Sequence, residues 1–121
     1  MTELYTVQIA KWRKCVDLDV VMLDTTVKSG VGFLVPTWDM VIGSKNGTLS
    51  NEAYRQQYME MLQRSYWEHR EQWLSLFTHD RLALACYCSH GRFCHRHILR
   101  DVLLALADNL NYPVMDCGEI I

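Results

Sequence analysis

Apolar residues along this chain fall into short continuous runs and longer stripes that recur every three or four positions. Residues Leu4 to Ala10 read as a first strand, with Leu4, Tyr5, Val7 and Ile9 as its apolar content. Val20-Val21-Met22-Leu23 and Leu82 to Cys88 are unbroken apolar runs, the signature of strands covered on both faces. Val114 to Ile120 reads as a last strand. Ser50 caps a helix expected to reach about Phe77, helped by Glu52 in its first turn. Tyr54, Tyr58, Met61, Leu62, Tyr66, Trp73, Leu76 and Phe77 form its buried stripe. A second stripe, Ile98, Leu99, Val102, Leu103, Leu106 and Leu110, predicts a helix over 94–110. Pro36 to Ile42 reads as a short helix with the proline near its start. Alternating strands and helices predict one α/β domain over 1–121, with a mainly parallel sheet of about four strands covered by helices. Right-handed crossovers place the loops after Leu23 and Cys88 on the same rim of that sheet.

The turn after Cys88 concentrates the reactive side chains. Ser89-His90-Gly91-Arg92-Phe93 leads into Cys94-His95-Arg96, where the second helix opens. Helix amino termini favour acidic residues, yet this one begins with basic groups and has no acid before Asp101. Excess positive charge fits an anion docked on the free backbone N–H groups, with Arg92 and Arg96 gripping it. The competing reading pairs Arg96 with a buried acid such as Asp24. Across the rim, the second strand ends in Asp24-Thr25-Thr26, followed by Lys28 and Ser29. These residues are expected to face Cys88, Ser89, His90, Arg92, Cys94, His95 and Arg96 around one pocket, with Trp38 and Tyr54 as aromatic walls.

Cys94 stands in the first helical turn beside basic groups, where a thiol pKa falls and a nucleophile forms. Cys88 is the second candidate, Cys86 reads as packing, and Cys15 and Cys117 as core or edge thiols. Cys86, Cys88, Cys94 and His95 offer four zinc donors, but successive helical residues at 94 and 95 diverge by about 100 degrees. Their spacing also lacks the paired short loops of common structural zinc sites. Zinc is therefore the weaker reading, and the site is read without metal or cofactor. Cys86 and Arg92 also stand in the C-x5-R spacing of cysteine phosphatases, although Tyr87 is bulky for such a loop.

Half of the 121 residues are hydrophobic, 21% are charged, and the formal net charge is −2. That balance argues against general nucleic-acid binding, which favours strongly basic domains, and suits a local basic pocket for a small anion. No apolar stretch approaches a membrane span. Five cysteines and no leader-like amino-terminal run fit a cytoplasmic protein with reduced thiols. The oligomeric state is left open.

Cys-x-Cys at 86–88, Gly91 and Cys94-His95-Arg96 together resemble the family known as domain of unknown function 488. Val20-Val21-Met22-Leu23-Asp24 is similar to that family's strand ending in Asp before a polar loop. Thr25-Thr26 stands where many members carry Val-Arg, and Thr25 to Trp38 looks like a phage-borne branch. The resemblance implies a compact α/β fold and a pocket at the Cys-His-Arg turn, and no particular reaction. Two functions remain. The first is a thiol-dependent hydrolase or transferase for a nucleotide-like or phosphorylated molecule. Cys94 or Cys88 would be its nucleophile, His95 or His90 its acid or base, and Asp24 would orient Arg96 or accept a proton. The second is a protein that sequesters a nucleotide-derived ligand without chemistry.

Overall fold

A computed structural model describes residues 1–88 and 92–121. Four strands, β1 (Thr2–Gln8), β2 (Val21–Asp24), β3 (Arg81–Cys86) and β4 (Val114–Ile120), form one parallel sheet in the order β2-β3-β1-β4. The helices are α1 (Trp12–Asp17), α2 (Trp38–Asn46), α3 (Asn51–Glu68), α4 (Arg70–Ser75) and α5 (His95–Leu110). This is the single α/β domain that the alternating pattern predicts.

Strand alternation divides the core in two. Leu4, Leu82 and Leu84 point to one face, where Tyr58, Leu62, Trp73, Ile98, Leu99 and Leu103 of the later helices cover them. Val7, Ala83 and Ala85 point to the other face and meet Cys15 of α1, with Val20 and Ile120. The second face is lined by smaller residues because only the six-residue α1 and its flanking turns lie over it. No described helix is long and apolar enough to cross a membrane.

Several boundaries differ from the pattern-based reading, α2 running over Trp38–Asn46 rather than Pro36 to Ile42. The helix after Ser50 is broken at His69, whose φ of −128° and ψ of 39° separate α3 from α4. That step brings Trp73 into the core, where its indole N–H donates to Ser65 Oγ at 3.1 Å. Ser50 caps as expected, its hydroxyl accepting from the Ala53 amide at 3.1 Å. The first strand begins earlier and ends sooner than expected, and α1 follows it. Only Cys15 of α1 is buried, so this helix has no apolar stripe to betray it.

Crossovers leave the carboxyl ends of β2 and β3 side by side. Asp24 registers with Ala85, and the Thr25 amide continues the ladder by donating to Ala85 O at 2.9 Å. The loop beyond Thr25 is pinned to α3 by two hydroxyls, Tyr58 on Leu34 O and Ser65 on Phe33 O. Both loops therefore open at one rim, the position where open α/β sheets take ligands.

Candidate functional site

A cleft of about 530 Å³ lies at this rim. The loop after β2 contributes Thr26 and Lys28, the turn between β3 and α5 contributes Cys88, Arg92 and Cys94, and α5 opens with His95. Trp38 and Tyr54 stand as walls. Eight of the residues singled out from sequence thus share one cavity. Ser89 and His90 lie outside the described residues.

Four others, Asp24, Thr25, Ser29 and Arg96, lie off the cleft lining, each with a definite partner. Thr25 is fully buried, and its hydroxyl donates to Ala85 O at 2.7 Å. Asp24 organises the loop, accepting from the Thr26 amide at 2.8 Å, the Thr26 hydroxyl at 2.7 Å and the Ser29 hydroxyl at 2.7 Å. Burial works against its ionisation, but these three donors outweigh it and hold the carboxyl below the ordinary range. Its carboxylate is held by Thr26 and Ser29 rather than Arg96, so the orienting role expected of Asp24 falls to another acid.

That acid is Glu119 of β4. Arg96 Nη2 meets Glu119 Oε2 at 2.8 Å and Nε meets Oε1 at 3.2 Å, a bidentate pair with side chains 0% and 7% exposed. Arg96 Nη1 also donates to Cys86 Sγ at 2.8 Å and to Cys88 O at 2.9 Å. Arg96 is therefore internal scaffolding that ties β4 to the turn, which corrects its expected place on the ligand. Burial opposes the Glu119 charge, while hydrogen bonds from Arg96 and Thr6 prevail and lower its pKa.

His95 is defined by its neighbours. Its Nε2 lies 2.7 Å from Thr25 O and 2.9 Å from Thr25 Oγ1. A carbonyl only accepts, so Nε2 carries the proton and Nδ1 presents a lone pair. Burial pushes the His95 pKa down to about 4, so the ring is neutral near neutrality. Its Nδ1 faces Cys94 Sγ at 3.9 Å, and Tyr58 packs edge-on against the ring, 5.7 Å between centroids. The Cys94 sulfur, a neutral imidazole and an orienting carbonyl thus stand in succession, the sulfur also meeting that of Cys86.

Cys94 is the N-cap of α5 in extended conformation, with φ of −154°. The Cys94 side chain makes no cap hydrogen bond, and the first turn holds no acid. Cys86, Cys88 and Cys94 converge, their sulfurs all within 4.8 Å of one another. The Cys86 and Cys94 sulfurs meet, although their Cα atoms are 7.9 Å apart.

Sequence reasoning expected a short helix at Pro36 to Ile42 with Trp38 as a wall, but missed the rest of the cleft face of α2. Trp38, Val41, Ser44 and Lys45 line the cleft at three- and four-residue spacing, the face of one helix. That period was present in the sequence, but Pro36 to Ile42 gave too short a window to expose it. With Lys45 added to Lys28 and Arg92, the described lining carries three exposed cations and no carboxylate. Tyr87 and Phe93 complete the aromatic rim, Phe93 meeting Tyr54 edge-on at 5.4 Å.

No curated protein and no solved structure matches this chain. A family model does: residues 18–107, from the turn before β2 nearly to the end of α5, match the family described as the active DUF488-N3 subclade. That span holds every cleft-lining residue, and the chain accordingly belongs to the domain of unknown function 488 family, in its active DUF488-N3 subclade.

Proposed function

We propose that this protein is a small thiol-dependent enzyme acting on an anionic, nucleotide-like or phosphorylated molecule bound in the cleft. The observation that carries the reading is the Cys94–His95–Thr25 array at a cleft whose described lining holds three cations and no acid. Lys28, Lys45 and Arg92 would neutralise the ligand's negative groups, and Trp38 and Tyr87, both more than half exposed, offer flat surfaces for a ring. The start of α5 adds backbone N–H groups to the same anion.

In the proposed reaction the Cys94 thiol passes its proton to His95 Nδ1. The thiolate then attacks an electrophilic carbon or phosphorus of the ligand, and the bond to the leaving group breaks with its electron pair going to that group. His95 returns the proton to the leaving group. Water, or an acceptor hydroxyl in a transferase, then displaces the Cys94 sulfur and regenerates the thiol. The Thr25 carbonyl keeps the ring in the required tautomer, and a bound anion would support the transient imidazolium.

Incubation with a library of nucleotides and cell metabolites, followed by mass spectrometry of the denatured mixture, tests this reading. A changed molecule whose formation stops in Cys94→Ser supports it. Unchanged turnover in both Cys94→Ser and Cys88→Ser would remove thiol chemistry. The second reading, sequestration without reaction, draws on the burial of Cys94, which is only 3% exposed. Recovery of intact ligand at protein stoichiometry would favour it.

A further inference from the structure

We infer that Cys86, Cys88 and Cys94 form a zinc site at the floor of the cleft. Three thiols from two separate segments, the end of β3 with its following turn and the start of α5, bring their sulfurs within 4.8 Å of one another. Backbone spacing separates a metal site from a disulfide here. The Cα atoms of Cys86 and Cys94 are 7.9 Å apart, and above about 7 Å a disulfide needs backbone movement. Two thiolates on one tetrahedral zinc, each about 2.3 Å from the ion, stand about 3.8 Å apart, so an ion spans a wider backbone gap than an S–S bond.

The surroundings suit such a centre. Three thiolates and one divalent cation leave a single negative charge. The Arg96 guanidinium donates to Cys86 Sγ at 2.8 Å, and the α5 terminus begins at Cys94. Arg96 is itself held by Glu119, the kind of outer support that fixes metal ligands. Cys86 and Cys94 are buried and Cys88 is partly exposed, so the fourth coordination position faces the cleft. The angular objection raised from sequence applies to Cys94 and His95 as successive helical residues. Cys94 is extended rather than helical, and the donors that converge are the three cysteine sulfurs.

Zinc and the proposed nucleophile compete for Cys94. The loaded protein keeps an anion cleft with a metal in its floor and lacks a free Cys94 thiol. The site itself stands without the proposed reaction.

The reduced, full-length protein is titrated with Zn²⁺ and with Co²⁺ as a spectroscopic probe, with no other ligand present. One equivalent should bind, and cobalt should show thiolate charge-transfer absorption with the intense visible bands of tetrahedral coordination. Cys88→Ser and Cys94→Ser should each weaken binding at least tenfold, whereas Cys15→Ala and Cys117→Ser should retain it. Because Cys88 is partly exposed, its variant keeps the test valid if Cys94→Ser does not fold. Failure of the reduced protein to take up cobalt, binding unaffected by Cys88→Ser, or isolation of a Cys86–Cys94 disulfide that reforms in the presence of zinc would each overturn the proposal. Anion binding and turnover are measured separately on chelator-treated protein, so loss of one conclusion leaves the other open to its own test.

Discussion

Arg96 reaches the Glu119 carboxylate, the Cys86 sulfur and the Cys88 carbonyl at once, with no solvent around its side chain. From the sequence it is indistinguishable from Arg92, since both are basic residues at one helix start. Only the fold reveals that β4 delivers a carboxylate from 23 residues away. Removing one member of a buried pair leaves the other charge stranded, so Glu119→Ala should cost about 3–5 kcal/mol. Urea unfolding should show this as a lower midpoint at unchanged slope. His95 gives a second test. Its pKa falls from 6.5 unfolded to about 4 folded, so the unfolded chain takes the proton first as pH drops. The associated stability is complete above about pH 6.5 and fades toward pH 4, on the order of 3 kcal/mol in all. In chelator-treated protein, His95→Gln should flatten the unfolding midpoint across that interval.

At the scale of elements, the loop between β2 and α2 rests on a close approach at Gly30. A Cβ there would stand 2.4 Å from Thr26 O and 2.7 Å from Thr26 N, both backbone atoms, whereas at Gly32 it would meet nothing within 4 Å. Gly30→Ala should therefore destabilise the protein by roughly 1–3 kcal/mol and weaken cleft binding, because Thr26 must shift. Gly32→Ala should leave thermal unfolding and ligand titration close to the parent. The strands and α5 were legible because buried runs and a 3.6-residue stripe have few alternative explanations. The interruption at His69 was not, since the stripe continues in register across it and the step follows from packing Trp73 beside Ser65. Helix α2 shows the opposite case. Its cleft face is periodic, but Lys45 acquires meaning only beside Lys28 and Arg92.

For the whole molecule, a net charge of −2 surrounds a rim that gathers cations. Screening acts over about 10 Å at 0.1 M salt, so attraction of a phosphate-bearing ligand should weaken as salt rises. Lys45→Ala should weaken it further by about fivefold, or about 1 kcal/mol, and reduce the salt dependence. Titration calorimetry at two ionic strengths checks both, and equal affinity at both would remove the electrostatic account. The basic cluster opening α5 suggested a cationic pocket on a mildly acidic body. It could not assign the cations, because two loops and a helix face from distant segments meet only once the sheet is assembled.

The pairing of β1 with β3 joins Glu3 to Arg81 and so closes most of the chain into one loop. Helices form within their own stretches, but so distant a pairing must overcome loop entropy before its ladder bonds exist. We therefore expect Cys86 at the end of β3, and Cys88 and Cys94 after it, to stay unsheltered until that ladder forms. The newly made or unfolded chain presents these thiols to oxidants, whereas the finished fold leaves only Cys88 partly open. Refolding yield should thus depend on reductant far more than the survival of the folded protein does, and thiol trapping during refolding would follow the difference directly.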